Sequence, residues 1–181
     1  HLKSFVEEGV IESVSPRFYG VPTDYSQSRT SKKYAPEIHK QMQEDKVDIA
    51  LLVPLWPVCH QTVGLVARHL ELSGIPTVIA GSARDIIEQC GVPRFLFTDF
   101  PLGNPIGVPF DVEMQKTITR MALDLAANAQ FSRTTVQTPF EWHDNDWRKN
   151  FMYVGDENRK LLERAGRMRK LQQEKNKEEN V

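Results

Sequence analysis

Hydrophobic residues along this chain alternate between short unbroken runs and stripes at helical spacing. Residues 47–55 (VDIALLVPL) form a near-continuous apolar run, the pattern of a parallel strand buried on both faces. Val63, Val66, Ala67 and Leu70 then recur at helical spacing, and Ser73 with Gly74 closes that helix. Residues 76–80 (PTVIA) read as the next strand. Ser82 is placed to cap a following helix and Asp85 to complement its N-terminus, with Ala83, Ile86, Ile87 and Cys90 sharing one face. Gly91 and Pro93 end it, and residues 94–100 (RFLFTDF) supply a further strand. Asp111 opens a long helix striped by Met114, Ile118, Met121, Ala122 and Leu125.

Upstream, residues 9–15 (GVIESVS) predict a first strand, and residues 34–44 a helix with Pro36 in its first turn. Strand–helix units repeated about four times imply an α/β, doubly wound architecture. Its mainly parallel sheet has about four strands, right-handed crossovers and helices on both faces. Two segments break the alternation. Residues 20–33 are polar and turn-rich, which predicts a long loop. Beyond Gln130 the pattern is extended (FSRTTVQTPFEW), then a charged helix starts near Asp156. Leu161, Ala165 and Met168 give that helix a thin apolar stripe, suited to docking on the domain or on a partner, with fraying from about Lys175. The expected division is a single α/β domain over residues 1–155 and a charged helix with its tail over 156–181.

Composition narrows the function classes. At 181 residues the chain is long enough for one domain with a real core, and its net charge of −1 recruits neither nucleic acid nor an anionic membrane. No apolar run is long enough to span a bilayer and no leader pattern opens the chain, so a cytoplasmic protein is expected. Two cysteines, Cys59 and Cys90, make no disulfide framework and suit a reducing compartment.

Ligands of open parallel sheets bind beyond the carboxyl ends of the strands. That rule collects Arg17 and Tyr19 after the first predicted strand and Trp56, Cys59, His60 and Gln61 after the second. Ser82, Arg84 and Asp85 follow the third, with Asp99 and Asn104 after the fourth. A thiol near a helix N-terminus meets unpaired N–H groups and the positive end of the helix dipole, which favour the nucleophilic thiolate. Cys59 is so placed; the alternative is a small buried hydrophobe. Packing on its helix explains Cys90. The spacing leaves His60 open between base, ion partner and cap. No ligand-spaced partners accompany the Cys–His pair, so no metal site is expected. Residues 81–85 either bind an anion or merely cap a helix, and Asn104 sits in a rigid loop with two prolines and a glycine. Nothing matches a P-loop or a GxGxxG fingerprint.

Three blocks carry a resemblance: VDIALLVPLWPVCHQTVGLVARHLELSGIPTV, then GSARDI, then GVPRFLFTDFPLGNPIGVPFD. They are similar to the selenoprotein B family of glycine, sarcosine, betaine and D-proline reductases, and the likeness extends from SPRFYG to TTVQTPFEW. The resemblance implies reductive cleavage of a carbon–nitrogen bond by a nucleophilic chalcogen, together with a separate pyruvoyl-bearing subunit. In those reductases a selenocysteine precedes a cysteine as Sec-x-x-Cys. In that register Cys59 takes the second position and Trp56 stands where the selenocysteine would be.

The preferred expectation is a thiol-dependent, reductase-like enzyme acting on a small amino-acid- or amine-like substrate. Cys59 is its nucleophile, and His60 and Asp99 handle protons. Arg17 or Arg84 holds an anionic group, Trp56 walls the pocket, and Tyr19, Gln61, Ser82 and Asn104 complete it. An external thiol or thioredoxin-like donor would supply electrons, and any pyruvoyl group belongs to a partner. The chain would act as a homo-oligomer or with a second reductase subunit. The rivals are a non-catalytic subunit of such a complex and a cofactor-independent racemase or isomerase.

Overall fold

A computed structural model describes residues 1–144, 146–150 and 153–178. The chain divides into two compact units, His1–His143 and Asp144–Val181. The first begins with a short helix, α1 (Leu2–Glu7), which the apolar pattern does not announce. Residues 9–15 then form turns and bends where a strand was expected. Their few apolar side chains are only partly buried, so no sheet surface claims them. Helical structure resumes at α2 (Gln27–Arg29), passes through a π-turn (Thr30–Tyr34) and continues as α3 (Ala35–Glu44). The expected loop is therefore helical from Gln27 onward. Pro36 lies within this longer helical stretch, where its ring crowds the carbonyl one turn back; the wider π-turn immediately precedes it.

The sheet is parallel throughout, in the order β1 (Ala50–Leu52), β2 (Thr77–Gly81), β3 (Arg94–Phe97), β4 (Thr134–Gln137). Helices α4 (Pro57–Leu72) and α5 (Arg84–Cys90) carry the chain from β1 to β2 and from β2 to β3. Together with α3 they cover one face, packing on Ile79 and Phe95. Helix α6 (Val112–Asn128) joins β3 to β4 across the other face, against Val78, Ala80 and Leu96. The Asp111 side chain caps α6 at Met114 N, 3.0 Å away. The α/β expectation is met. Strand order advances without reversal while α6 changes face, so the crossover through α6 has the opposite hand to those through α4 and α5. Uniform right-handedness is thereby corrected.

Close approach of α4 and α5 depends on Gly64. A Cβ there would lie 2.7 Å from Cys90 Sγ. Gly64→Ala is expected to destabilise the protein by about 1–3 kcal/mol, with partial rescue in Gly64→Ala/Cys90→Ala, both read from denaturant midpoints.

The second unit holds α7 (Trp147–Asn150) and α8 (Asp156–Glu178). Helix α8 starts at the expected Asp156 and runs past Lys175 to Glu178; residues 179–181 lie outside the described residues. No helix among the described residues is long and apolar enough to cross a membrane.

Candidate functional site

Strand β1 is an edge, and its last residues lead through Trp56 into α4. Trp56 occupies the N-cap position in an extended conformation, its indole more than half exposed. Pro57 follows in the first turn, where its missing N–H forfeits no helical bond. Cys59 therefore sits in the first turn of a sixteen-residue helix, partly buried, with Sγ 3.6 Å from Thr23 Oγ1. It opens on a groove of about 750 Å3 that runs along β1, with residues 47–55 on one side and residues 11–21 on the other. That volume is in the range of small-molecule sites.

The segment from Val10 to Tyr25 crosses the groove as a strap anchored at its middle and near its end. Beside Cys59 the contact is Thr23. At the middle Arg17 makes a two-point ion pair with Asp45 (2.6 and 2.7 Å) and reaches the Gln41 carbonyl at 3.2 Å. The Tyr19 hydroxyl donates to Asp45 as well. Asp45 is the C-cap of α3, on the chain's approach to β1. Arg17 and Tyr19 thus stand at the amino end of β1, opposite Cys59. Their expected place at the carboxyl edge is corrected, because the strand that would have put them there does not form.

Arg17, then Tyr19, hold the Asp45 carboxyl below its ordinary value of 3.8, and the Arg17 guanidinium is raised in return. A depressed acid contributes its anchoring above the unfolded pKa and loses it as pH falls through the folded one. Limited proteolysis within residues 10–25 should accordingly accelerate below about pH 4, and at pH 7 in Arg17→Ala.

His60 is fully buried and both ring nitrogens are engaged. Nε2 accepts from the backbone N–H groups of Ser82 (3.0 Å) and Ala83 (3.1 Å), so the proton resides on Nδ1, which donates to the Trp56 carbonyl at 2.8 Å. Burial keeps its pKa below the ordinary 6.5, against smaller opposite pulls from the Trp56 carbonyl and Asp85. The ring ties the loop after β1 to the loop after β2, with no nitrogen left to face a substrate. Gly81 leaves room for it: a Cβ there would meet Nε2 at 3.0 Å.

The remaining expected residues are distributed along the same carboxyl edge. Ser82 does not cap α5, whose N-cap is Ala83 without a side-chain bond; its hydroxyl oxygen is buried and unpartnered. Arg84 pairs with Glu88 at 2.9 Å and lies over the Phe97 ring. Asp99 follows β3, half-buried, and Asn104 shapes the next turn, its N–H and side chain both donating to the Pro101 carbonyl. That turn is tied to the loop after β1 by Gly103 N–H donating to the Leu55 carbonyl at 2.9 Å. Gln61 is half-buried on α4. Cys90 lies against Gly64 between α4 and α5, its thiol pushed up by burial. Thr23 on the strap, its anchor Asp45 at the end of α3, and the hydroxyls of Thr98 and Thr138 escaped sequence reasoning, since no local pattern marks them.

No protein-family model and no solved structure matches the chain. Curated proteins do. The chain is 32% identical over 144 residues to D-proline reductase subunit gamma of Acetoanaerobium sticklandii, covering 78% of this chain and 59% of that protein. It is 29% identical over 143 residues to glycine reductase complex component B subunit gamma of Peptoclostridium acidaminophilum, and 25% identical over the same length to that of Peptoclostridium litorale. Those two matches cover 77% of this chain and 32% of each relative. The chain is thus a homologue of reductase gamma subunits and spans less than two thirds of their length.

Proposed function

We propose that this homologue of reductase gamma subunits is the thiol-bearing subunit of a complex that reductively cleaves a carbon–nitrogen bond. The observation that carries the reading is Cys59 in the first turn of α4, opening on the groove beside β1. In this reading Cys59 attacks the α-carbon of a small amino-acid- or amine-like substrate: a C–S bond forms, the C–N bond breaks, and the nitrogen leaves with a proton. An external dithiol then attacks the sulfur. The carbon departs and takes a proton, a mixed disulfide forms, and the donor's second thiol resolves it, leaving the donor oxidised and Cys59 free.

A pyruvoyl group on a partner subunit would serve as the electron sink that makes the nitrogen a leaving group. In this reading Asp99, which follows β3, handles the proton, Arg84, Gln61 and Asn104 hold the substrate, and His60 acts by positioning the loops. Iodoacetamide should modify Cys59 well before Cys90, and turnover of the assembled complex with a dithiol donor should fall in step with that modification. Full turnover of the alkylated chain would instead favour the non-catalytic subunit.

A second reading rests on position 56. Trp56 places a large, exposed indole at a helix N-cap three residues before Cys59, where the resembling reductases have selenocysteine. Selenocysteine is encoded by UGA, which some genetic codes read as tryptophan. In this reading the natural residue is selenocysteine, the selenolate attacks, and Cys59 is its resolving thiol. The intact mass and selenium content of protein from its native source decide between the two; an indole at position 56 leaves Cys59 as the nucleophile.

A further inference from the structure

Among the described residues, three buried hydroxyl oxygens lack any hydrogen-bond partner: Ser82 Oγ, Thr98 Oγ1 and Thr138 Oγ1. Each belongs to the residue immediately after a strand, Ser82 after β2, Thr98 after β3 and Thr138 after β4. Gly81 is in register with Phe97, and Phe97 with Gln137, so the three residues form one transverse row. The ladder continues through them: Thr98 N–H donates to the Gly81 carbonyl and Thr138 N–H to the Phe97 carbonyl. Two positions earlier on each strand, Ala80, Leu96 and Val136 pack toward α6, and strand alternation puts the hydroxyl row on that face. Neighbouring strands lie about 4.8 Å apart. That is too far for one hydroxyl to satisfy the next, but one acceptor atom can bridge two.

Topology singles out the same place independently. The chain leaves β2 into α5 on one face and leaves β3 into α6 on the other. Adjacent strand ends whose connections part in this way open the crevice in which α/β sheets hold ligands. Ser82 and Thr98 are the first residues beyond those two strand ends. The exits from β3 and β4 are joined by Phe100 and Trp142, whose rings meet edge to face at 5.2 Å. Phe100 follows Thr98 by two residues and Trp142 follows Thr138 by four.

We infer that the hydroxyls of Ser82, Thr98 and Thr138 form a binding subsite for the carboxylate end of a small amino-acid-like molecule, entering between the carboxyl ends of β2 and β3. Hydroxyls can donate to both carboxylate oxygens, and the row gives a planar group a fixed orientation. The inference deepens the reductase reading and rests on it for the substrate class. Cys59 follows β1, the strand next to β2, and the His60 ring joins its helix to the backbone of Ser82. The row and the thiol are therefore successive stations along one edge of the sheet.

Titration of the full chain with glycine and with D-proline, followed by amide chemical shifts and calorimetry, tests this. At least one probe should bind and shift Ser82, Thr98 and Thr138. Thr98→Val and Thr138→Val should each weaken it by roughly tenfold while the melting temperature stays level or rises, because no internal bond is lost. Binding by neither probe, equal affinity in both variants, or a fall in melting temperature that marks the hydroxyls as internally bonded overturns the subsite; so does an ordered water alone in the row. Cys59→Ser separates the two ideas. If it abolishes turnover while Thr98→Val and Thr138→Val leave affinity unchanged, the subsite fails and the thiol stands; retained turnover in Cys59→Ser with lost affinity in the valine variants is the reverse.

Discussion

His60→Ala should lower the stability of the protein by about 3–5 kcal/mol, a large share of what holds a domain of this size together. The ring is completely buried, so its removal leaves a cavity. The N–H groups of Ser82 and Ala83 lose their partner in a place water does not readily reach, while the Trp56 carbonyl keeps the backbone N–H of residue 60. Each such group left unpaired costs about 1–3 kcal/mol. Chemical denaturation at pH 7.5 measures the effect.

The same ring makes stability depend on pH. Its folded pKa lies below the ordinary 6.5, so between the two values the unfolded chain binds the extra proton and the folded chain does not. Stability from this source is fully present above about pH 6.5 and declines as pH falls toward the folded pKa. Protonated Nε2 would also point a donor at two donors. His60→Ala should remove that part of the acid sensitivity, and an unchanged slope of stability against pH in this range would contradict the assigned tautomer.

Cys59→Ser should reduce turnover of the assembled complex by about a thousandfold or more, since an alcohol at this position is a far weaker nucleophile than a thiolate. Folding should survive: the residue is only partly buried, and a serine hydroxyl can still meet Thr23 Oγ1. Substrate binding should survive as well, so the loss falls on kcat rather than on KM. The time course carries further information. A nucleophilic Cys59 gives neither a first nor a later turnover when replaced. With a selenol at position 56, Cys59→Ser permits one rapid turnover and then stalls, because only the resolving thiol is missing. Undiminished steady-state turnover would place the chemistry in another subunit.

Much of the sheet was legible from the chain alone. The runs ending in Leu52, Gly81 and Phe97 are apolar at nearly every position because helices cover both faces, and burial on two sides suppresses polar residues whatever the strand order. Helix α6 announced itself through Asp111 and its stripe, as local capping and periodicity are properties of neighbouring residues. The stretch 9–15 shows the limit of the same reasoning. Its alternation suits a strand, but a strand exists only where another offers backbone partners, and here the segment runs across the far side of a groove. With that strand went the predicted position of Arg17 and Tyr19.

Sequence order and side-chain chemistry by themselves determined that this protein has parallel strands joined by helices, and that a cysteine opens the helix after the apolar run 47–55. Both follow from short-range pattern, which is written in consecutive residues. Tertiary structure alone decided that His60 is a strut, that Arg17 closes a strap on Asp45, and that α6 crosses on the opposite face to α4 and α5. It also aligned Ser82, Thr98 and Thr138, which lie far apart in the chain, because register between strands is set by hydrogen bonding across space and leaves no mark on the order of residues along any one of them.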